Sequence, residues 1–394
     1  MTTDLRQVER ADVYKAGALA AQLTRTPDGV VFAYLPDWAG PAVATTLPRT
    51  TVPVLRPGGA LPAYFTGLLP EGRRLSALRS ELKTSADDEL TLLLGVGADT
   101  VGDVQVVPEG VTPETVPPRV ELAHDVSDVS FDLLLAELGI RADRVGLPGV
   151  QDKVSAAMLT LPVARRGDRF LLKLNPPQFP FLVENEACFL AAARRSGLEV
   201  VDAHVVHDKN DRTGLLVRRF DRGATGARAV EDGCQVLGRP PADKYRLTTE
   251  ETFAGLAAVC QAPLPAARTL LQQLVFAYLT GNGDAHAKNF SVVQADSGEW
   301  HVAPAYDLPS SQPYGDTSLA LTIDGRTVTD AGAGTFLALA AALGLREAVA
   351  RRVLANQVGR VDAWLPLLDA LPFDRAKRRK LARVVAYRRQ RLSR

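Results

Sequence analysis

Gly281-Asn282-Gly283-Asp284-Ala285-His286-Ala287-Lys288-Asn289 is a polar turn between two apolar runs. Upstream, Leu270 to Tyr278 has the length and periodicity of a buried helix, and Gly281 stands where a helix-ending glycine belongs. Downstream, Phe290-Ser-Val-Val-Gln294 predicts a strand that turns through Asp296-Ser297-Gly298-Glu299 into a second run, Trp300 to Tyr306. Asp307 closes this hairpin. An aspartate and an asparagine thus lie five residues apart on a tight loop, and a second aspartate is returned beside them.

The same order serves phosphoryl transfer in protein kinases. There a catalytic-loop Asp accepts the substrate proton, an Asn five residues on holds magnesium, and a metal-binding Asp follows a short hairpin. By that logic Asp284 is the base, Asn289 and Asp307 are the metal ligands, and Lys288 sets positive charge near the transferred group. The competing reading is an ordinary turn, because Asn, Gly and Asp tolerate positive φ and bond their own backbone. The upstream half of the chain decides between them.

At 394 residues and 46% hydrophobic content the chain can bury a core in two domains or two lobes. Its 46 basic residues balance 45 acids, so net charge points to neither a nucleic-acid nor a membrane partner. Cys188, Cys234 and Cys260 are odd in number and widely spaced, which suits small buried hydrophobes in a reducing compartment. Met1 to Arg10 has no apolar leader, and the longest apolar stretch, near Phe336 to Leu345, is too short to span a bilayer. A cytoplasmic protein is expected.

From Val13 to about Gln105 short β-like runs alternate with turns, among them Gly29 to Tyr34 and Thr51 to Val54, with a helix expected over Arg73 to Leu82. Four prolines between Pro108 and Pro118 mark a connector. The expected division is therefore residues 1–107, a connector over 108–122, and 123–394, the last split into a β-rich lobe of about 123–235 and a helical lobe of about 236–394.

Beyond the connector, Phe131 to Leu138 predicts a helix, and Gly146 to Lys153 a glycine-bearing loop that feeds a strand over Val154 to Leu161. Such a loop can turn N–H groups toward phosphate, with Lys153 adding charge, although an ordinary turn has the same composition. Arg169-Phe-Leu-Leu-Lys173-Leu174 places a lysine in an apolar strand, where its charge needs an edge or a negative partner. Glu184-Asn185-Glu186, opening a helix over Ala187 to Arg195, offers that partner in Glu186, whose alternative role is an acid at a helix start. Strands follow over Val200 to Val206 and Leu215 to Phe220; Arg218, Arg219 and Phe220 then fall where an adenine-binding hinge belongs, Phe220 being equally suited to a core. The remainder to Tyr278 reads as helical.

Together these segments resemble the HipA-like serine/threonine kinases, toxins of type II toxin–antitoxin pairs. The resemblance rests on Leu147 to Lys153, Lys173, Glu184 to Glu186, Arg219-Phe-Asp-Arg222, Glu231 to Gln235, the nonapeptide and Pro304 to Asp307. Leu69-Pro-Glu-Gly72 and Gly95 to Gly102 extend it over nearly the whole chain. It implies an α+β fold, a small mostly β amino-terminal domain packed on a kinase-like domain with a β-rich nucleotide lobe and a large helical lobe. By position, Pro148, Gly149, Val150, Gln151, Asp152 and Lys153 would form the phosphate loop. Lys173 would bind phosphate, and Arg218 to Phe220 would be the hinge. His286, Ala287, Lys288, Asn289, Tyr306 and Asp307 would complete an ATP and magnesium site. The resemblance also implies a protein substrate, aminoacyl-tRNA synthetases being the family's known class, and restraint by a helix-turn-helix, HipB-like antitoxin that binds operator DNA. Gly146 stands where some relatives carry an autophosphorylated serine, so the resemblance does not carry that self-inactivation over to this chain unless a hydroxyl such as Ser155 substitutes. Arg218 replaces a familiar glutamate, a change that a backbone contact tolerates.

Asp374 to Arg394 holds ten Lys or Arg and one acid, with apolar residues at helical spacing. A solvated charged face explains this, and so does contact with operator phosphates. The rival functions are a small-molecule kinase of aminoglycoside or choline type, a silent nucleotide-binding corepressor, and a metal hydrolase built on Asp284 and His286.

Overall fold

The computed structural model describes residues 4–113, 126–137, 158–165, 168–223 and 226–394. It is an α+β chain that divides into two compact units. The first comprises Met1–Pro117, Asp221–Lys244 and Ser291–Trp300; the second comprises Pro118–Phe220, Tyr245–Phe290 and His301–Arg394.

The first unit is built on a five-stranded antiparallel sheet in the order Val54–Pro57, Gly29–Tyr34, Ala18–Thr26, Arg10–Lys15, Val104–Pro108. Val13, Leu23, Phe32, Phe65 and Leu93 form the centre of its core, each such side chain contributing about 1.5–3 kcal/mol by leaving water. Thr51 to Val54 is not the strand; pairing starts at Val54. Residues far along the chain complete this unit. Arg222 donates to Asp99, to the Thr100 and Gly102 carbonyls and to Asp221, while Asp221 accepts from Gly102 N–H at 3.0 Å. Glu231 accepts from the N–H and hydroxyl of Thr45, both at 2.7 Å. The stretch after Asp221 therefore forms short strands before any helix, contrary to its helical reading, and helix resumes at Gly233–Val236.

The second unit has a four-stranded antiparallel sheet, ordered Leu159–Arg165, Asp168–Leu174, Thr213–Arg218, Ala203–His207. The strand expected over Val200 to Val206 is displaced, because Val200 and Val201 pair with Ala305. That bridge also shortens the second arm of the hairpin to Trp300–Val302; Pro304 brings no N–H to a ladder. The helix expected from Ala187 begins earlier, spanning Leu182–Arg195, since Asn175 reaches across to accept from Val183 N–H at 2.7 Å and donate to Glu184 at 2.9 Å. Its terminus is capped by a side chain outside the helix, which no local pattern signals.

Helices make up most of the rest: Thr249–Val259, Pro263–Thr280, Ala333–Ala342, Glu347–Gly359 and Arg375–Leu392. Pro263–Thr280 is buried on all sides over its second half, from Leu270, Leu271, Val275, Phe276 and Tyr278 to Thr280. The basic helix Arg375–Leu392 starts at the Asp374 cap and buries Leu381, Val385, Arg388 and Leu392. Arg388 lies 4.7 Å above the Tyr278 ring and donates to the Tyr278 and Thr317 carbonyls. Arg389 pairs with Asp362 and Arg391 with Asp330, whereas Arg375, Lys377, Arg379, Lys380 and Arg383 face solvent. Cys234 and Cys260 are buried, but Cys188 is only half-buried; all three are free. No helix among the described residues is long and apolar enough to cross a membrane.

Candidate active site

Strand pairing sets Lys173 opposite Thr160 on one side and Leu215 on the other. From there its ammonium donates to Glu186 Oε1 at 2.7 Å and Oε2 at 2.9 Å, and to Asp307 Oδ1 at 3.1 Å. Glu186, 1% exposed, sits in the second turn of Leu182–Arg195. Burial alone would depress the lysine, but the carboxylates of Asp307 and Glu186 outweigh it and raise its pKa. Burial pushes Glu186 up despite the lysine. Burial would do the same to Asp307, yet Lys173 overrides it and holds that carboxyl below its usual range.

The loop that carries Asp284 is shaped by the end of helix Pro263–Thr280. Gly281 closes that helix at φ 73°, the left-handed region that glycine enters without strain. Gly283 leaves no space for a side chain, since a Cβ there would lie 2.6 Å from the Ser318 carbonyl oxygen and 2.7 Å from Ser311 Oγ. Ser311 Oγ accepts from Gly283 N–H at 2.7 Å and donates to the Gly281 carbonyl at 3.1 Å. Asn282 accepts from Asp284 N–H at 3.1 Å and donates to the Asp307 carbonyl at 3.2 Å, joining the two aspartate segments. Asp284 Oδ1 accepts a 2.7 Å hydrogen bond from the Tyr245 hydroxyl.

Asn289 lies opposite Asp307, its amide donating to Asp307 Oδ2 at 2.7 Å while its Oδ1 accepts from His286 N–H at 3.1 Å. Asp307 itself has φ 54°, a conformation that costs energy outside glycine and that aspartate tolerates better than most residues. Asn185 completes the frame, exchanging two hydrogen bonds with the backbone of Ser310 at 2.8 and 3.0 Å.

The residues read from the sequence as site residues therefore divide into two groups. Lys173, Glu186, Asn289 and Asp307 touch one another; Asp284 and His286 share the loop with Asn289, and Lys288 accepts through its carbonyl from the Tyr306 hydroxyl at 2.7 Å. Ala287 is buried in the short turn Ala287–Asn289. Phe220 stacks on Tyr306 with ring centres 5.7 Å apart. In the stretch expected to form the hinge, Arg218 N–H is committed to the Asp202 carbonyl at 2.8 Å and Arg219 N–H to the Arg169 carbonyl at 3.0 Å, while the Arg218 side chain pairs with Asp168 at the surface. Pro148, Gly149, Val150, Gln151, Asp152 and Lys153 lie outside the described residues, as do Gly146 and Ser155. Sequence reasoning missed Tyr245, Asn282, Asn185 and Ser311. Asn282 and Asn185 stand inside quoted motifs, but Tyr245 is 39 residues from its partner and carries no local signal.

Asp307 and Asn289 suit a magnesium ion. Both offer hard oxygen donors, and the Asn289 oxygen, with one N–H bonded, retains a second lone pair. Magnesium takes one or two protein ligands where phosphates complete its shell. Among the described residues no three His, Cys, Asp or Glu gather into a metal cage, as a hydrolase centred on Asp284 and His286 would require.

Comparison with known proteins places this geometry in a family. The model of the HipA N-terminal domain matches residues 11–107, and that of the HipA-like C-terminal domain matches residues 145–365, more than half of the chain. The chain belongs to the HipA family. This HipA-family chain is 31% identical over 379 residues to Y4mE of Sinorhizobium fredii, covering 88% of itself and 89% of that relative. It is 27% identical over 330 residues to the serine/threonine-protein kinase toxin HipA of Shewanella oneidensis, covering 76% and 74%. Its fold matches a chain of the Shewanella oneidensis MR-1 complex of HipA, HipB and operator DNA with a TM-score of 0.80, at 23% identity and over 97% of both chains.

Proposed function

We propose that this HipA-family kinase passes the γ-phosphoryl group of ATP to a serine or threonine hydroxyl of a cytoplasmic protein, an aminoacyl-tRNA synthetase being the expected class. A helix-turn-helix, HipB-like antitoxin would restrain it, and release would arrest growth. The observation that carries this reading is the convergence of Lys173, Glu186, Asn289 and Asp307 within hydrogen-bond distance, beside the loop that holds Asp284.

Asp284 accepts the proton of the attacking hydroxyl as oxygen bonds to the γ-phosphorus and the bond to the bridging β,γ-oxygen breaks. Lys173, steadied by Glu186, neutralises the phosphates, and Lys288 adds charge beside them. Phe220 on Tyr306 supplies an apolar wall for the base, since the Arg218 and Arg219 N–H groups are already taken. Magnesium, held through Asn289 and Asp307, would offset the charge that develops on the phosphate oxygens. Asp284→Asn is expected to lower label transfer from γ-labelled ATP by about 10²–10⁴-fold, the usual share of a general base. The same variant should be harmless when expressed without antitoxin under conditions where the parent stops growth. Transfer at the parental rate would refute the assignment.

The exposed face of helix Arg375–Leu392 supports a further part of this reading, contact with operator phosphates while the antitoxin holds the DNA. Because Leu381, Val385 and Leu392 are buried, the test is charge reversal rather than truncation. Changing Arg379, Lys380 and Arg383 to glutamate should flatten the salt dependence of operator binding by the kinase–antitoxin complex, by about 0.9 in log–log slope for each phosphate that the helix no longer neutralises. An unchanged slope sinks the idea.

A further inference from the structure

Arg388, 5% exposed, is a buried charge on the basic helix Arg375–Leu392, beyond the residues matched by the HipA-like C-terminal model. Leu381, Val385 and Leu392 already seat that helix, and an apolar side chain would fill the same place without taking a guanidinium out of water. What the guanidinium adds is a fork. Nη1 donates to the Tyr278 carbonyl at 2.5 Å and Nη2 to the Thr317 carbonyl at 2.8 Å. The Tyr278 carbonyl also accepts from Gly281 N–H at 3.1 Å, so Arg388 bonds the turn by which helix Pro263–Thr280 passes into the Asp284 loop. Thr317 belongs to residues 316–318, which are in neither helix nor strand and pack on Gly283. A Cβ at Gly283 would stand 2.6 Å from the Ser318 carbonyl oxygen and 2.8 Å from Asp316 Cγ.

We propose that Arg388 is a positioning residue for the catalytic loop: it fastens the end of helix Pro263–Thr280 to the backing residues 316–318 and so steadies the Gly283–Asp284 backbone from behind. The inference rests on the reading of Asp284 as the base. Ser311, bonded to Gly283 N–H, and Asn282, bonded to the Asp307 carbonyl, tie the loop to the segment just after Asp307. Residues 316–318 come later in the chain, and Arg388 holds that side. A positive charge also suits this helix end, where the last carbonyls concentrate negative potential. Lysine would supply the charge alone, whereas the planar guanidinium aims two donors at two carbonyls in a fixed geometry. Through this side chain the basic helix reaches the site from which its exposed face is turned away.

Arg388→Met keeps the stem and removes the charge, whereas Arg388→Lys keeps the charge and loses the fork. The experiment follows initial label transfer from γ-labelled ATP to a fixed soluble bacterial lysate over a range of ATP concentrations. Thermal midpoint and ATP binding are measured on the same full-length samples, and rates are compared per folded molecule, well below each midpoint. For Arg388→Met the expected result is a maximal rate about 10–100-fold below the parent, the scale on which a displacement of about 1 Å slows an oriented reaction. Arg388→Lys should fall between the two. ATP affinity and the apparent KM for ATP should stay within about twofold of the parent, since Lys173, Glu186 and Asp307 keep their own bonds. A lowered midpoint with a parental rate per folded molecule overturns the proposal and assigns Arg388 to stability alone. Loss of ATP binding in Arg388→Lys, or failure of both variants to fold, overturns it too. If Asp284→Asn transfers label as well as the parent, the assignment of the base has failed, and the two failures are thereby told apart.

Discussion

Asp307→Asn is expected to lower phosphoryl transfer about 10³-fold or more while the protein remains folded, because the carboxylate proposed to hold magnesium would be lost, and with it several kcal/mol of charge stabilisation. The substitution is chosen because it keeps shape. Asparagine enters the left-handed region as aspartate does, so the φ of 54° adds no new strain. What it cannot keep is the pairing. Asp307 receives a donor on each oxygen, Lys173 at 3.1 Å and the Asn289 amide at 2.7 Å. An amide offers one oxygen and turns its NH2 toward the other donor. One hydrogen bond therefore breaks, for about 1–3 kcal/mol of stability at most, and the negative charge that balances Lys173 from this side disappears. The measurements are initial rates with γ-labelled ATP and a thermal midpoint. Incorporation within tenfold of the parent would show that Asp307 holds no ion that matters.

Lys173→Met should be the most destabilising of the site variants. In the parent, Lys173 stands between the carboxylates of Glu186 and Asp307, and Glu186 is 1% exposed. Methionine fills much of the same space but leaves two acids with no cation between them, and orphaning one side of a buried pair costs about 3–5 kcal/mol. The deficit should shrink in acid. Burial already sets Glu186 above the ordinary carboxyl value, so the folded state binds its proton more tightly than the unfolded chain does. Lowering the pH through the folded-state value therefore favours the fold, and the variant's thermal midpoint should approach the parental one as the medium is taken from neutral to mildly acidic. A variant equal to the parent at neutral pH, or one that falls further behind in acid, contradicts the buried-pair account. Transfer should be abolished across that range, because the lysine proposed to neutralise the phosphates is gone.

Much of the fold and the order of the site's residues was legible because the signals are local. Gly281 ends a buried helix through its own left-handed backbone, and the apolar pattern of Asp168–Leu174 marks a strand with one lysine in it. The spacing from Asp284 to Asn289 to Asp307 likewise needs nothing beyond chain order. Pattern and structure part company where a distant group intervenes. Asn175 caps a helix that starts ahead of its apolar pattern, Ala305 draws Val200 and Val201 away from a strand, and Asp221 and Glu231 turn a helical-looking stretch into a tie to Gly102 and Thr45.

Chain order thus established the kinase-like succession of lysine, glutamate, loop aspartate, asparagine and closing aspartate, since each is marked by neighbours within about one turn or one strand. Folding alone established which partners they take. That Lys173 reaches both Glu186 and Asp307, that Tyr245 grips Asp284, and that Asn185 bonds the backbone behind Asp307 are interactions spanning 13 to 134 residues. Such pairings leave no periodicity in the sequence, because burial brings the groups together and the cost of an unpaired polar atom selects among them.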